Sequence, residues 1–234
     1  MRLLLVFLSL IAYAQKKDMP QPRVVQPGPI PSDAIVLFGP GASVDGWTKP
    51  DGSPTGCRDA NGEMVCVTGS KDAVSKVKFG AVQLHLEFMP PVMPKAKGQL
   101  RGNSGVYLQG RYEVQVLDSF ENPTYADGTL GAVYGEAAPL VNAAKRPGEW
   151  QSYDMIFHPH KCDVSGKVIE NGSVTVLLNG VLVQDRHTIR NTKDGCGDGP
   201  LLLQDHSGFP GAPHTEMKFR NIWIRRLDQA GPKQ

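Results

Sequence analysis

The sequence predicts an all-β fold, an antiparallel sandwich or jelly roll, and three observations carry that expectation. Short runs of alternating apolar and polar residues recur along the chain, each bounded by turn residues. Two Asn-Gly pairs, Asn61-Gly62 and Asn179-Gly180, sit between such runs, where they favour two-residue hairpin turns. No long stretch repeats its apolar residues every 3.6 positions, so no amphipathic helix competes.

The chain divides before the strands begin. Its first residues, "MRLLLVFLSLIAYAQ", have the plan of a signal peptide: Arg2, an apolar centre from Leu3 to Ile11, and "AYA" ending at Ala14 as the cleavage site. The apolar run is too short to span a bilayer, and no cysteine follows it to carry a lipid. Residues 1–14 are therefore expected to direct export to the periplasm or the medium, with no membrane attachment afterwards. Residues 15–31 hold five prolines and read as an extended linker. One domain is expected over 32–228, and residues 229–234 form a tail. The 234 residues are 40% hydrophobic and 21% charged, enough to build a sizeable core. Net charge is +2 with the signs interspersed, and no basic stripe points to nucleic acid.

The strands follow in order. "SDAIVLF" opens the domain. In "AVQLHLEFM", Val82, Leu84, Leu86 and Phe88 alternate with Gln83, His85 and Glu87. "SGVYLQ" and "YEVQVLD" flank Gly110-Arg111, read as a hairpin turn. "QSYDMIFH" sets Tyr153, Met155 and Phe157 against Ser152, Asp154, Ile156 and His158. "SVTVLLNGVLVQD" is a hairpin, and "PLLLQDH" and "EMKFRNIWIRRL" complete the set. The segment from Ser119 to Trp150 is long for a connection. Its Gly, Pro and Tyr content suggests an ordered, functional loop.

Export makes disulfides expected for the four cysteines. Around the Asn61-Gly62 turn, residues 60 and 63, 59 and 64, and 58 and 65 pair, which sets Cys57 opposite Cys66 in a non-hydrogen-bonded pair. Such pairs bring Cα atoms to about 4.5 Å, within disulfide reach. Cys162 and Cys196 are then paired by elimination.

In "RYEVQVLD", Tyr112, Val114 and Val116 share one strand face, and Arg111, Glu113 and Gln115 the other. A cation, a carboxylate and an amide in a row suit either a solvated face or the floor of a binding site. Several longer stretches decide the context: "GNSGVYLQGRYEVQVLDSF", "TYADGTLGAVYGEAAPLVNAAKRPGEWQSYDMIFH", "VTVLLNGVLVQD", "LLLQDHSG" and "KFRNIWIRRL". Together with "SDAIVLF" they resemble the 3-keto-disaccharide hydrolase domain family, once catalogued as a domain of unknown function. The resemblance runs from about Ser32 to Leu227. It implies a concanavalin-like jelly roll related to laminarinase-like glycoside hydrolases, acting on glycosides oxidised to a ketone at C3. An upstream sugar 3-oxidase is the implied partner. Cys57 and the segment from His187 to Gly199 depart from the family pattern.

Laminarinase-like enzymes carry E-x-D-x-x-E on a central strand, and here the matching positions are Glu113, Gln115 and Asp118. A retaining glycosidase needs two carboxyl groups about 5–5.5 Å apart. The middle residue is an amide, and Asp118 has the opposite strand parity and reaches the face only through a bulge. One positioned base is the better reading. A 3-keto sugar needs only that base, since its C2 proton is acidic, together with an electrophile for the developing negative charge. A divalent metal such as calcium or manganese would serve, with Glu113, His158, Asp205 and His206 as candidate ligands. His158 is also a candidate catalytic group. Tyr107, Gln109, Arg111, Trp150 and Gln204 are candidate sugar contacts. A lectin-like binding module without chemistry and a laminarinase-like glycanase are the alternatives on the same fold.

Overall fold

The structure, a computed structural model, describes residues 22–191, 195–208, 211 and 214–227. The expected signal peptide, the start of the linker and the tail lie outside the described residues. Among those described, the strands are β1 (Ile35–Phe38), β2 (Trp47–Thr48), β3 (Arg58–Ala60), β4 (Glu63–Val67), β5 (Ala73–Phe79), β6 (Val82–Met89), β7 (Ser104–Leu108), β8 (Tyr112–Val116), β9 (Gln151–His158), β10 (Lys161–Cys162), β11 (Val168–Glu170), β12 (Ser173–Leu178), β13 (Val181–Thr188), β14 (Gly199–Leu203) and β15 (Glu216–Arg226). All pairings are antiparallel. One large sheet runs β13-β12-β9-β6-β15-β4-β3, with β1 also on β15, a second runs β2-β5-β14-β7-β8, and β10 and β11 pair separately as a two-stranded ribbon. This is the expected sandwich.

The alternation shows directly in burial. Val82, Leu84, Leu86 and Phe88 of β6 and Tyr153, Met155 and Phe157 of β9 are fully buried. They join one core with Val106 and Leu108 of β7, Val114 and Val116 of β8, and Leu201 and Leu203 of β14. Each such side chain contributes on the order of 1.5–3 kcal/mol by leaving water. In β15, Asn221 and Ile222 together oppose a single position of β6, between the pairs Arg220–Glu87 and Trp223–His85. This bulge, with Asn221 at φ 51°, keeps both Phe219 and Ile222 buried. Tyr153 links the sheets, its hydroxyl donating to the Gln115 carbonyl at 2.5 Å.

β5 was not apparent as a strand, because Ser75, Lys76 and Lys78 interrupt its apolar residues. Ser75 is nonetheless buried. Its hydroxyl donates to Val77 O and accepts from Leu201 N, which satisfies it inside the sheet.

The β3–β4 register is the expected one: Ala60–Glu63, Asp59–Met64 and Arg58–Val65. Asn61 and Gly62 take φ 57° and 81°, the left-handed pair that a tight hairpin turn needs. Cys57 and Cys66 are bonded with Cα atoms 4.3 Å apart, and Cys162 is bonded to Cys196. The β7–β8 turn differs from expectation. Leu108 pairs with Tyr112, so the loop has three residues, Gln109 to Arg111, with Gln109 and Gly110 at φ 56° and 66°. Arg111 therefore lies in the turn and not on the strand face with Glu113.

Candidate active site

The outward face of the five-stranded sheet carries a cleft of about 320 Å³. Its floor is built by the β7–β8 hairpin. Tyr107 pairs with Glu113 and Gly105 with Gln115, so these positions share one face. Gly105 has no side chain to occupy the space over its strand. A Cβ there would stand 2.4 Å from Glu113 Oε1 and 2.8 Å from Tyr107 Cε2. Into that space the Glu113 carboxyl folds. The Tyr107 hydroxyl donates to Glu113 Oε2 at 2.7 Å, and Gln204 Nε2 donates to the Tyr107 oxygen at 3.1 Å.

Gln115 continues the floor and is buried. Its amide nitrogen donates to Gln99 Oε1 at 3.1 Å and to the Gly128 carbonyl at 3.0 Å. Gln99 in turn donates to Thr124 Oγ1 and Gly128 O, and accepts from Asn103 Nδ2. These amides tie the sheet to the loop after β8. That loop supplies the rim, Tyr125 and Tyr134, whose hydroxyls lie 2.6 Å apart. The long connection after Ser119 is thus ordered and lines the cleft, as its composition suggested. Gln99, Asn103, Tyr125 and Tyr134 were not singled out from the sequence. The tyrosine content of that loop was the one available signal.

Burial pushes the Glu113 carboxyl up to about 7, against the opposing effect of the Tyr107 hydrogen bond. The Tyr107 phenol is driven far above its ordinary value by burial and by the neighbouring Glu113 charge. Desolvation lowers His206, which lines the same wall. Among the described residues neither lysine nor arginine lines the cleft. The other carboxylate there, Asp205, is committed. Its oxygens accept from the backbone of Gly69, Lys71 and Ser207 and from the Ser207 hydroxyl.

Of the side chains expected at the site, Tyr107, Glu113, Gln115, Gln204, Asp205 and His206 line this cleft. Five others lie elsewhere. Asp118 is buried in an ion pair, accepting from Arg101 Nε at 2.5 Å and from Phe120 N. β8 ends at Val116, and the chain turns Asp118 inward without the bulge that would return it to the Glu113 face. His158 ends β9 in the other sheet and is exposed. Trp150 lies under the Arg220 guanidinium, 4.0 Å from the ring centre. Buried Gln109 donates to Phe79 O and accepts from Arg111, which also donates to Gly197 O. The four expected metal ligands are not gathered, since His158 is on the other sheet and Asp205 is engaged by backbone. Among the described residues no group of three or more His, Cys, Asp or Glu could hold a metal ion. This donor set does not fit a divalent cation.

Residues 33–225 match the 3-keto-alpha-glucoside-1,2-lyase-like domain family. A candidate glycosyl hydrolase from Parabacteroides distasonis is 36% identical in sequence and superimposes with a TM-score of 0.83, covering 95% of this chain and 99% of its own. A second candidate glycosyl hydrolase from the same organism is 21% identical with a TM-score of 0.61, covering 84% and 94%. Alginate lyase Aly36B, 9% identical with a TM-score of 0.51 over 83% and 97%, shares the fold. No curated protein matches the chain in sequence. The family match spans most of the chain and the identity of the first relative extends over nearly all of it: the chain belongs to the 3-keto-alpha-glucoside-1,2-lyase-like domain family and is a carbohydrate-active enzyme.

Proposed function

We propose that the protein is an exported enzyme that cleaves glycosides carrying a ketone at C3, with Glu113 as its general base. The observation that carries this reading is one half-buried carboxyl, raised to about 7 and oriented by Tyr107, in a cleft whose other described carboxylate is committed to backbone. Two-carboxylate hydrolysis needs a second carboxyl free to react, about 5–5.5 Å away in a retaining enzyme or about 6.5–9.5 Å in an inverting one. A 3-keto sugar asks for less. Glu113 removes the C2 proton, the electrons move onto the C3 oxygen, and the C1 substituent departs by β-elimination. Water then adds across the new double bond, so the net result is hydrolysis. A base whose pKa sits near working pH is well matched to that proton transfer. Gln204 uses one amide hydrogen on Tyr107 and keeps a second for a substrate oxygen. Export is supported by the leader-like first 14 residues and by the two disulfides. A sugar 3-oxidase would supply the substrate.

The test is to incubate the mature protein with a 3-keto-disaccharide and with the same sugar unoxidised, each with and without EDTA. Cleavage of the oxidised sugar alone is expected. The EDTA arm reports whether a divalent cation enters with the substrate. Turnover of laminarin would favour a glycanase, and binding without turnover a lectin.

A further inference from the structure

The elimination needs an acid as well as a base, because a departing sugar alkoxide is strongly basic. The rim of the cleft holds a pair of groups that nothing above employs. Val133 bridges to Val114, and the Tyr134 amide donates to the Glu113 carbonyl at 3.0 Å. Tyr134 therefore sits across from Glu113 on the same face, giving a row Tyr107–Glu113–Tyr134 with neighbouring Cβ atoms about 4.5–5.5 Å apart. Tyr107 is bonded to the carboxyl, whereas Tyr134 is bonded to Tyr125.

The pair is held in place although Tyr125 and Tyr134 are 49% and 43% exposed. The Tyr125 ring packs on Gly128, where a Cβ would stand 1.9 Å from Tyr125 Cε2. Gly128 is itself fixed by the two glutamine amides on its carbonyl, and Gly135 N donates to Asp127 O at 3.0 Å across the same loop. Two hydroxyls 2.6 Å apart share one hydrogen, which leaves the other for an acceptor in the cleft.

We propose that the Tyr125–Tyr134 hydroxyl pair is the proton donor to the leaving group, a role that rests on Glu113 being the base. Glu113 takes the proton from C2, and the C–H electron pair becomes the enediolate. On its collapse the C1–C2 double bond forms and the C1–O bond breaks. The electron pair passes to the leaving oxygen, which takes the phenol proton. The Glu113 carboxyl proton exchanges with bulk water once the leaving group has departed. Water then attacks C1 and returns a proton to the phenolate, while Glu113 delivers the exchanged, solvent-derived proton to C2. Both groups end as they began, and no co-reactant other than water is consumed. Burial and the bonded Tyr134 raise Tyr125 to about 12, an acidity suited to a basic alkoxide and too weak to ionise at rest.

Tyr125→Phe, Tyr134→Phe and the double variant keep both rings while removing the hydroxyls. Each is assayed on a 3-keto-disaccharide and on 4-nitrophenyl 3-keto-glucoside, whose nitrophenolate departs without a proton. The double variant is expected to lose about 10²–10⁴-fold in kcat on the disaccharide while staying within a few-fold of wild type on the nitrophenyl substrate, with an unchanged melting temperature. Equal losses on both substrates would mean that the hydroxyls only position the sugar, and would overturn the role. An unchanged rate on the disaccharide would also overturn the role. Wild-type protein inert toward both substrates would remove the Glu113 reading, and this one with it. Glu113→Gln, in contrast, should lose both substrates alike.

Discussion

Gly105 leaves the space over β7 that the Glu113 carboxyl occupies, and its backbone is ordinary extended strand. Gly105→Ala is therefore expected to fold yet lose activity on the order of Glu113→Gln, about 10²–10⁴-fold, since the new methyl displaces the base. Combining the two changes should cost little beyond either alone, because both disable one group. Steady-state rates and a thermal melt of each variant check this. The raised carboxyl also sets two pH dependences. The base is active when ionised, so kcat/KM should rise with pH and level off above about 7. Stability runs the opposite way. Between the ordinary 4.5 and about 7 the folded protein holds a proton that the unfolded chain has released, so stability falls as pH rises through that window. The penalty above it is at most about 3 kcal/mol. Glu113→Gln has no such penalty. It should melt above wild type at pH 8, and the difference should vanish below pH 4.5. A wild-type melt that rises over the same pH range relative to Glu113→Gln would contradict the buried carboxyl.

Among the elements, the β7–β8 hairpin and the loop after it act as one unit. Asp118 anchors them through Arg101, Phe120 and Asn122, whose side chain donates to Asp118 O. Asp118→Ala leaves the Arg101 guanidinium without its carboxylate, with only the Phe120 carbonyl still accepting from it, and is expected to cost about 3–5 kcal/mol of stability, read by denaturant unfolding. A catalytic acid at this position would instead lose rate with little change in unfolding. The strand pattern made much of this legible. Alternation located β6, β9 and β12, and turn counting placed Cys57 opposite Cys66, because both follow from neighbours along the chain. Period two tells which face of its own sheet a residue takes. It is silent on which of two sheets the strand joins, so His158 of β9 and Trp150 just before it read as site residues although β9 belongs to the other sheet. Gln99, Asn103 and Tyr125 escaped notice for a related reason. They stand on segments without strand periodicity and reach the cleft only through amide contacts that tertiary packing makes.

For the molecule as a whole, one face of the smaller sheet packs into the core and the other lines the cleft. The lack of lysine and arginine among the described residues of the cleft argues for uncharged sugars. Alginate and other polyuronates should therefore be neither bound nor cleaved, despite the fold shared with alginate lyase Aly36B, and a rise in absorbance from unsaturated uronate would refute this. The central claim is that Glu113 removes the proton from C2 of a 3-keto-glycoside. Cleavage of a 3-keto-disaccharide in deuterated water, followed by NMR of the released 3-keto sugar, tests it most directly. Elimination and hydration replace the C2 proton from solvent, so the account predicts deuterium at C2 in every turnover, at a rate that Glu113→Gln abolishes. Product that keeps its original hydrogen at C2, beyond the slow exchange of the free ketone measured alongside, would contradict it.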